Sequence, residues 1–368
     1  MKILIFIPHM GQGGVERSFI NLSKELINKG IDVKFICLNE TETTYDENLT
    51  IIKLNSKRTL FSAIKLSKVI EYESPDILIS AQYYANISAI ISNKISKNKT
   101  KIIISERNHL TSALKKYNFL KSLLIKILIR MSYKRADLIF GNSESVCEDL
   151  KEKFVSKNNK KVIKILNPAY IEDVLKKSEE KIYDKWISDS TVPILVYVGR
   201  LEVQKDIDTL IKTFELVNKT HKSKLLIIGS GSEKVKLNKS SLYIKNRIKQ
   251  IEFDTNPYKY LKHCNIFLLT SIYEGMPNVL IEAQILGMPI VATDSPGGTS
   301  EVLQHGKAGL LANIKDVEDI SQKVNILLTD KEITSNLSIN FENSLKRFNP
   351  KKISDQVIKE ASKLIKIK

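Results

Sequence analysis

The sequence turns from strand to helix across Ser271-Ile272-Tyr273-Glu274-Gly275-Met276-Pro277-Asn278-Val279-Leu280-Ile281-Glu282-Ala283. Pro277 suits the first helical position, where its missing N–H costs nothing. The backbone N–H groups of Asn278 and Val279 then point out of a helix N-terminus, which favours an anion. Glu274 precedes this helix and Glu282 lies just over one turn inside it, so one carboxylate can reach the reacting end of a ligand and the other a hydroxyl farther along. The stretch therefore predicts a site for a phosphate-bearing ligand with sugar hydroxyls, such as a nucleotide sugar.

Apolar, strand-like runs alternate with amphipathic helical patterns along the chain, which predicts an α/β protein with parallel sheets. A length of 368 residues suggests two domains of ordinary size. A polar, irregular stretch precedes a new strand-like run at Pro193, so we place the domain boundary near residues 170–190. The expected parts are a first domain over residues 1–170, a second over 190–345 and a closing helical segment over 346–368.

The composition is that of an ordinary globular protein, with 42% hydrophobic and 27% charged residues. No apolar run reaches the roughly 18 residues of a membrane span, and the N-terminus is too quickly broken for a signal peptide. Cys37, Cys147 and Cys264 are widely spaced without a metal-ligand pattern, which favours a reducing, cytoplasmic location. The net charge of +17 calls for an anionic partner, and nucleic acid, anionic lipid and phosphorylated substrates all meet that requirement.

Two cations follow the strand-like run that ends at Val198. Arg200 and Lys205 can be a solvated surface pair, or a guanidinium fork and an ammonium that grip a diphosphate. Glycine-rich turns follow two other strand-like runs, at Gly13-Gly14 and at Gly229-Ser230-Gly231-Ser232. Such turns let a backbone approach a ligand, although plain tight turns explain them equally well. The dinucleotide fingerprint would need a third glycine shortly after Gly14, which is missing, so NAD binding is disfavoured.

In combination, these residues closely resemble the signature of the family-4 glycosyltransferases. The matching features are, in chain order, Gly199-Arg200, Lys205, the pair Glu274 and Glu282, the run Gly287-Met288-Pro289-Ile290-Val291-Ala292-Thr293, Pro296-Gly297-Gly298 and Glu301. The resemblance implies the GT-B fold, in which two Rossmann-like parallel-sheet domains face each other across a cleft. It also implies that the C-terminal helix crosses back to the first domain.

The resemblance assigns roles to residues of the second half. Arg200, Lys205 and the helix end at Asn278 would stabilise the departing nucleoside diphosphate, while Glu274 holds sugar hydroxyls near the anomeric carbon and Glu282 bonds the ribose. Further donor contacts fall on Gly275, Met276, Val279 and Gly229, and on Phe253 for the base, at the end of the predicted strand 247–253.

In the first half, the resemblance places Gly13 and Gly14 beside the donor phosphates and the acceptor. It implies a histidine or a neighbouring polar group that contacts the transferred sugar. His109 fits this role, with Glu106 as its competitor. A single loop histidine is also commonly incidental.

Asp206-Ile207-Asp208 spells the aspartate-any-aspartate pattern of metal-using transferases of another fold. Acids at a helix start are ordinary capping residues, and we prefer that interpretation. We therefore expect catalysis without a metal or other cofactor. Asp206 stands where many relatives carry glycine, which puts the turn geometry in question.

A basic, apolar helix is predicted over residues 119–135, from Phe119 to Arg135. Residues 107–136 contain several Lys and Arg and no acid. The apolar positions of this helix can pack on the sheet and leave a solvated basic face, or the helix can rest on an anionic membrane surface. The absence of acids slightly favours the membrane.

The sequence thus predicts a retaining glycosyltransferase that moves a hexose or N-acetylhexosamine from a nucleotide sugar, UDP-linked by preference, to a glycan or polyprenyl-linked saccharide. We expect it in the cytoplasm, peripherally attached to the membrane. The alternatives are a sugar-nucleotide epimerase with the same fold, which needs no acceptor, and a basic nucleic-acid-binding protein. Nucleic acid is disfavoured as a partner because the basic run is interleaved with aliphatic rather than aromatic residues.

Overall fold

The computed structural model describes residues 1–11, 13–39, 49–156 and 158–365. Gln12 of the first glycine-rich loop and residues 366–368 of the predicted closing segment lie outside this part. The chain forms two compact units, one of residues 1–168 with 348–368 and one of residues 169–347. The irregular stretch at residues 169–190 therefore belongs to the second unit.

The first unit contains a seven-stranded parallel sheet with the order β3-β2-β1-β4-β5-β6-β7. Its central strand is buried on both faces, because Ile77, Leu78, Ile79 and Ala81 are all fully inaccessible, as expected for parallel sheets covered by helices. The strands are β1 Lys2–Phe6, β2 Asp32–Cys37, β3 Thr50–Lys53, β4 Ile77–Ala81, β5 Lys101–Glu106, β6 Leu138–Gly141 and β7 Val162–Lys164.

Six helices of the first unit connect these strands: α1 Gly14–Asn28, α2 Ala63–Glu73, α3 Tyr83–Ile95, α4 Leu110–Ala113, α5 Phe119–Tyr133 and α6 Glu144–Asp149. Helices α2, α3 and α5 contribute to the core on one face of the sheet, and α1 to the core on the other face. No helix in the described ranges has both the length and the apolar content needed to cross a bilayer.

The second unit contains a six-stranded parallel sheet with the order β10-β9-β8-β11-β12-β13. Its strands are β8 Ile194–Val198, β9 Lys224–Ile228, β10 Ile248–Ile251, β11 Ile266–Leu269, β12 Ile290–Thr293 and β13 Leu310–Ala312. Its helices are α7 Ile171–Ser178, α8 Lys185–Ser188, α9 Ile207–Thr220, α10 Ser241–Ile244, α11 Tyr258–Leu261, α12 Asn278–Ile285, α13 Thr299–Val302, α14 Val317–Thr329, α15 Lys331–Ile339 and α16 Phe341–Leu345.

The last helix, α17 Pro350–Ile365, packs on the first unit. Ile353, Val357 and Ala361 of α17 are buried in the same core as α1. Lys29, at the end of α1, donates to Ser354 Oγ over 2.8 Å. The closing helix therefore returns to the first unit, as the sequence predicts.

Candidate active site

The predicted donor-site residues of the second unit lie at the carboxyl edge of its sheet. Arg200 and Lys205 follow β8, Gly229 follows β9, and Glu274 follows β11. Strands β8 and β11 are neighbours in the sheet, so the loops after these strands meet. Ligands of open α/β sheets bind at this edge.

Glu274 is the centre of this arrangement. It is only 6% exposed, and its Oε1 accepts a hydrogen bond from Ser271 Oγ over 2.6 Å. The ammonium of Lys205 forms an ion pair with the same oxygen, and Gln204 Nε2 lies 3.5 Å from Oε2. A buried carboxylate is costly unless it is paired and hydrogen-bonded, and this carboxylate is both. Its position is therefore fixed by three side chains.

Gln204 holds the loop after β11 against the turn after β8. The backbone N–H of Ile272 donates to Gln204 O over 2.8 Å, and Gln204 Nε2 donates to Tyr273 O over 2.8 Å. Sequence reasoning assigned no role to Gln204 or Ser271. The available signal was their place in the sequence, directly before Lys205 and three residues before Glu274.

Helix α12 begins at Asn278, so Pro277 occupies the N-cap and not the first helical position that the sequence analysis gave it. No side chain caps this helix, and Leu280 N–H donates to Pro277 O over 3.1 Å. The N-terminus of α12 directly follows Glu274, Gly275 and Met276, and the last of these is buried. Glu282 lies within α12 and is 7% exposed.

Gly297 allows the loop after β12 to approach Glu274 closely. Its φ is +126°, and a Cβ atom here would lie 2.2 Å from Glu274 O. Next to this contact, Glu274 N–H donates to Pro296 O over 2.8 Å and Gly298 N–H to Gly275 O over 2.5 Å. The Pro296-Gly297-Gly298 part of the signature thus supports the backbone of Glu274.

Gly297→Ala is therefore expected to lower the free energy of unfolding by roughly 2–4 kcal/mol, because the methyl group is sterically blocked and φ is strained for alanine. Gly287→Ala is the matched control, since φ there is +70° but no atom lies within 4 Å; it should cost about 1 kcal/mol. Urea unfolding of both variants measures the difference. Equal losses would contradict the close approach at Gly297.

Arg200 lies beside the Glu274 cluster on an ordered backbone. Tyr197 OH donates to Arg200 O over 2.9 Å, and Gly229, with φ of +142°, packs so closely that a Cβ would lie 2.0 Å from Gly199 O. The Arg200 residue is exposed. Its guanidinium makes no hydrogen bond or ion pair to any described residue, so it can bind an anion at this edge.

Asp206 adopts the left-handed conformation that glycine favours, with φ of 50°. Its carboxylate caps α9 by accepting hydrogen bonds from Thr209 N (3.3 Å) and Thr209 Oγ1 (2.8 Å). Asp208 forms an ion pair with Lys236. Capping thus offsets the strain of a non-glycine residue here, and both acids have partners of their own.

Phe253 lies apart from the cluster. The predicted strand 247–253 is shorter in the structure and ends at Ile251, so Phe253 lies in the following loop with 55% of its surface exposed. Two strands, β9 and β8, separate β10 from β11 in the sheet. Phe253 shares the carboxyl edge with Glu274, and its contact with a base stays a prediction.

In the first unit, Gly13 and Gly14 form the start of α1 after β1. Gly13 is the N-cap and is exposed, as is Gly14. A Cβ on Gly13 would lie 2.5 Å from the carboxylate of Glu16 in the first turn. Both glycines thus lie at the surface at this helix start, with the Glu16 carboxylate close to Gly13.

Glu106 is buried inside the first unit. It is 1% exposed, and its Oε1 accepts hydrogen bonds from Tyr133 OH and from Asn86 Nδ2, the latter over 2.7 Å. Burial raises the pKa of the Glu106 carboxyl to about 8, while these two hydrogen bonds act in the opposite direction. Glu106 thus joins β5, α3 and α5 inside the protein.

His109 is more accessible, with 17% of its side chain exposed. It is the N-cap of α4, where Nδ1 accepts from Ser112 N over 3.3 Å. Burial is the main cause that lowers the pKa of His109; the Asp149 carboxylate opposes the shift and Lys115 adds to it. The neutral imidazole with Nδ1 as acceptor carries its proton on Nε2. Of the two competitors, only His109 can offer a hydrogen-bond donor at the surface.

Comparisons with known proteins find glycosyltransferases, in agreement with the signature in the sequence. A family model described as "Glycosyl transferases group 1" matches residues 178–344, and one described as "Glycosyltransferase Family 4" matches residues 12–165. An uncharacterised glycosyltransferase of Methanocaldococcus jannaschii is 32% identical over 302 residues, which cover 75% of this chain and 73% of that protein.

A second relative comes from Campylobacter jejuni and is the N-acetylgalactosamine-N,N'-diacetylbacillosaminyl-diphospho-undecaprenol 4-alpha-N-acetylgalactosaminyltransferase. It is 29% identical over 375 residues, 97% of this chain and 98% of its own. Among solved structures, Anabaena HepE in complex with UDP-glucose has a TM-score of 0.82 at 18% identity, with 99% of this chain and 100% of that chain covered. The GT-B fold predicted from the sequence is confirmed.

Proposed function

We propose that this chain, which belongs to the group 1 and family-4 glycosyltransferases, transfers a hexose or N-acetylhexosamine from a nucleotide sugar to a lipid-linked saccharide. The observation that carries this proposal is the buried Glu274 carboxylate, fixed by Lys205 and Ser271 beside the exposed Arg200. In such a cluster, the carboxylate can accept hydrogen bonds from sugar hydroxyls, and the neighbouring cations can bind a diphosphate. UDP is the nucleotide we expect, since HepE binds UDP-glucose.

In the proposed mechanism, Arg200, Lys205 and the start of α12 stabilise the charge that develops on the leaving diphosphate, which is usually the largest catalytic contribution. A lysine ammonium has three N–H donors, so Lys205 can keep its bond to Glu274 and still donate to phosphate oxygens. Glu274 holds sugar hydroxyls near the anomeric carbon, and Glu282 holds the ribose.

The configuration of the sugar is retained in this proposal. The acceptor hydroxyl attacks on the face that the diphosphate leaves, and a leaving phosphate oxygen takes its proton. No metal or other cofactor takes part, since cationic side chains supply the charge. His109 donates from Nε2–H to a hydroxyl of the transferred sugar.

The acceptor is proposed to be a saccharide on a polyprenyl diphosphate, presented at the cytoplasmic membrane surface. The name of the Campylobacter jejuni relative describes an acceptor of this chemical class. A peripheral enzyme with a net charge of +17 is suited to such a surface, because anionic lipids attract basic proteins.

Calorimetric titration with UDP, GDP and ADP tests the donor site. Wild type should bind UDP, and Arg200→Ala should weaken that binding roughly 10- to 100-fold, because a charge-assisted contact to a phosphate is lost. Arg247→Ala is the matched control, since Arg247 precedes β10 at the opposite edge of the same sheet; it should change the affinity less than twofold.

Two results would contradict the proposal. One is that wild type binds none of the three nucleotides, or that Arg200→Ala binds UDP as wild type does. The other is that a new nucleotide sugar forms from UDP-N-acetylglucosamine without any acceptor, which is the product of an epimerase.

A further inference from the structure

Helix α5 carries an apolar stripe that faces outward and is continuous over residues 119–128, beyond which the exposed Arg130 lies on the same side. Phe119 is 78% exposed, Leu120 71% and Leu124 63%. The other members are 41–57% exposed, and they are Leu123, Ile127, Leu128 and Met131. Isolated exposed apolar residues are common, but a contiguous stripe marks an interaction surface.

The opposite side of α5 holds the helix on the unit. Ile129, Ser132 and Tyr133 are buried, and Tyr133 OH donates to Glu106. The helix therefore packs on the unit, as one alternative of the sequence analysis expects. The expectation that the stripe residues themselves make this contact is wrong, because they are exposed. The helix is anchored by one face and offers the other.

Lysines border the stripe on both sides. At about 100° per residue, Lys121 lies next to Leu128 on one edge, and Lys126 lies next to Phe119 on the other. Tyr117 lies just before the helix, and the ammonium groups of Lys116 and Lys121 lie 5.1 and 4.5 Å from its ring centre. Residues 107–136 contain no acid, so this segment adds only positive charge along the stripe. The neighbouring acid Glu152 is paired with Lys153 over 3.5 Å.

We propose that α5 docks flat on an anionic lipid bilayer, with its apolar stripe among the acyl chains and Lys121 and Lys126 at the head groups. Apolar residues with lysines on both edges are typical of helices that lie in the membrane interface. A second copy of the chain fits less well, since it would oppose two positive borders. With 15 residues, or about 22 Å, α5 lies on the bilayer and does not span it.

This inference rests on the proposed function and names its membrane-contact surface. The start of α5 lies at the carboxyl edge of the first sheet, because Tyr117 OH and Tyr83 OH are 3.0 Å apart and Tyr83 begins α3 directly after β4. Gly13 and His109 follow strands at the same edge. A diphosphate in the head-group layer therefore comes close to Gly13 and His109.

Sedimentation with lipid vesicles tests the docking surface. Wild type should pellet with vesicles of phosphatidylglycerol and phosphatidylcholine in equal parts, and weakly with phosphatidylcholine alone. Leu120→Gln with Leu124→Gln should lower the partition coefficient more than tenfold, because the inserted apolar surface is lost. The matched control replaces two equally exposed apolar residues of the second unit, Ile244→Gln with Ile339→Gln, and should pellet as wild type does.

The lysines are tested separately. Lys121→Gln with Lys126→Gln should lower partitioning onto the anionic vesicles about 30-fold, from about 1 kcal/mol per charge near an anionic surface. Lys351→Gln with Lys352→Gln removes two exposed charges of α17 and should have little effect. Wild type that stays in the supernatant, or a stripe variant that pellets unchanged, would overturn the proposal.

A dimer-to-monomer change of the stripe variant in light scattering, without any vesicle binding by wild type, would instead assign the stripe to a second copy. The proposed function is read out independently by UDP affinity and by transfer to a short, water-soluble acceptor. Both should be unchanged in the stripe variant, while transfer to an acceptor in vesicles falls with the partition coefficient. If wild type does not bind UDP, this result would contradict the proposed function but not the docking surface.

Discussion

Glu274→Gln is expected to lower kcat by about 10²–10³, a typical loss when a pre-organised electrostatic contact in an active site is removed. Glutamine has the shape of glutamate and can still accept from Ser271 Oγ, which lies 2.6 Å from Glu274 Oε1. It has no charge, so its hydrogen bonds to sugar hydroxyls are weaker and the ion pair with Lys205 is lost. UDP affinity should change only a few fold, because the nucleotide lacks the sugar that Glu274 holds.

Glu282→Gln is the comparison that separates the two glutamates. Both residues are buried to the same degree, at 6% and 7% exposure. Since Glu282 is proposed to bond the ribose, its variant should raise the KM for the nucleotide sugar and weaken UDP binding, with a smaller loss of kcat. Steady-state kinetics and UDP titration of both variants measure this split. Equal kinetic effects of the two substitutions would refute the separate roles.

The sequence located the separate parts of the Glu274 cluster but not their contact. Arg200, Lys205 and Glu274 each follow a recognisable apolar run, so a strand-end location could be predicted for each. The ion pair between Lys205 and Glu274 depends on β8 lying beside β11, with β9 and β10 on the other side. Strand order is a property of the whole sheet, and no local pattern encodes it. The same holds for Gln204, whose partners come from the loop after β11.

Helix α5 shows a second feature that the sequence does not predict, namely the direction in which its apolar stripe faces. The spacing of Phe119, Leu123 and Leu124 correctly predicts a helix with an apolar stripe. Periodicity does not say whether a stripe faces the sheet or the outside, because both give the same pattern. The direction is set by Tyr133, whose hydroxyl reaches Glu106 inside the unit.

Glu106→Gln is expected to make the protein more stable at neutral and alkaline pH, by roughly 5 kcal/mol above pH 8. Burial raises the pKa of this carboxyl from 4.5 to about 8, so the folded state favours the neutral acid. The contribution of the neutral carboxyl to the free energy of unfolding is fully present below pH 4.5 and is lost as the pH rises to about 8. Glutamine is always neutral, so its variant should not show this loss.

Chemical unfolding between pH 5 and pH 9 measures this difference. The curves of wild type and Glu106→Gln should lie close together near pH 5 and separate by about 1.4 kcal/mol per pH unit until the pKa of about 8. Glu106→Ala should be less stable than Glu106→Gln by roughly 2–5 kcal/mol, because it leaves a cavity and the Tyr133 hydroxyl without its acceptor.

Glu73→Gln provides a control of opposite sign in the same unit. Hydrogen bonds from Lys2 and then Lys34 lower the pKa of Glu73, so its contribution to stability is present above the unfolded-state pKa and is lost in acid. Its glutamine variant should therefore be less stable than wild type at neutral pH.

Transfer activity separates an internal role of Glu106 from a role at the transferred sugar. If Glu106 only joins α3 and α5 to β5, Glu106→Gln keeps kcat and KM near those of wild type, whereas His109→Ala lowers kcat. A Glu106→Gln variant that folds stably but loses transfer would place the carboxylate at the sugar and refute its internal role. Parallel pH curves of wild type and Glu106→Gln would show that the carboxyl ionises alike in the folded and unfolded chain. The buried network with Tyr133 and Asn86 would then not hold a neutral acid.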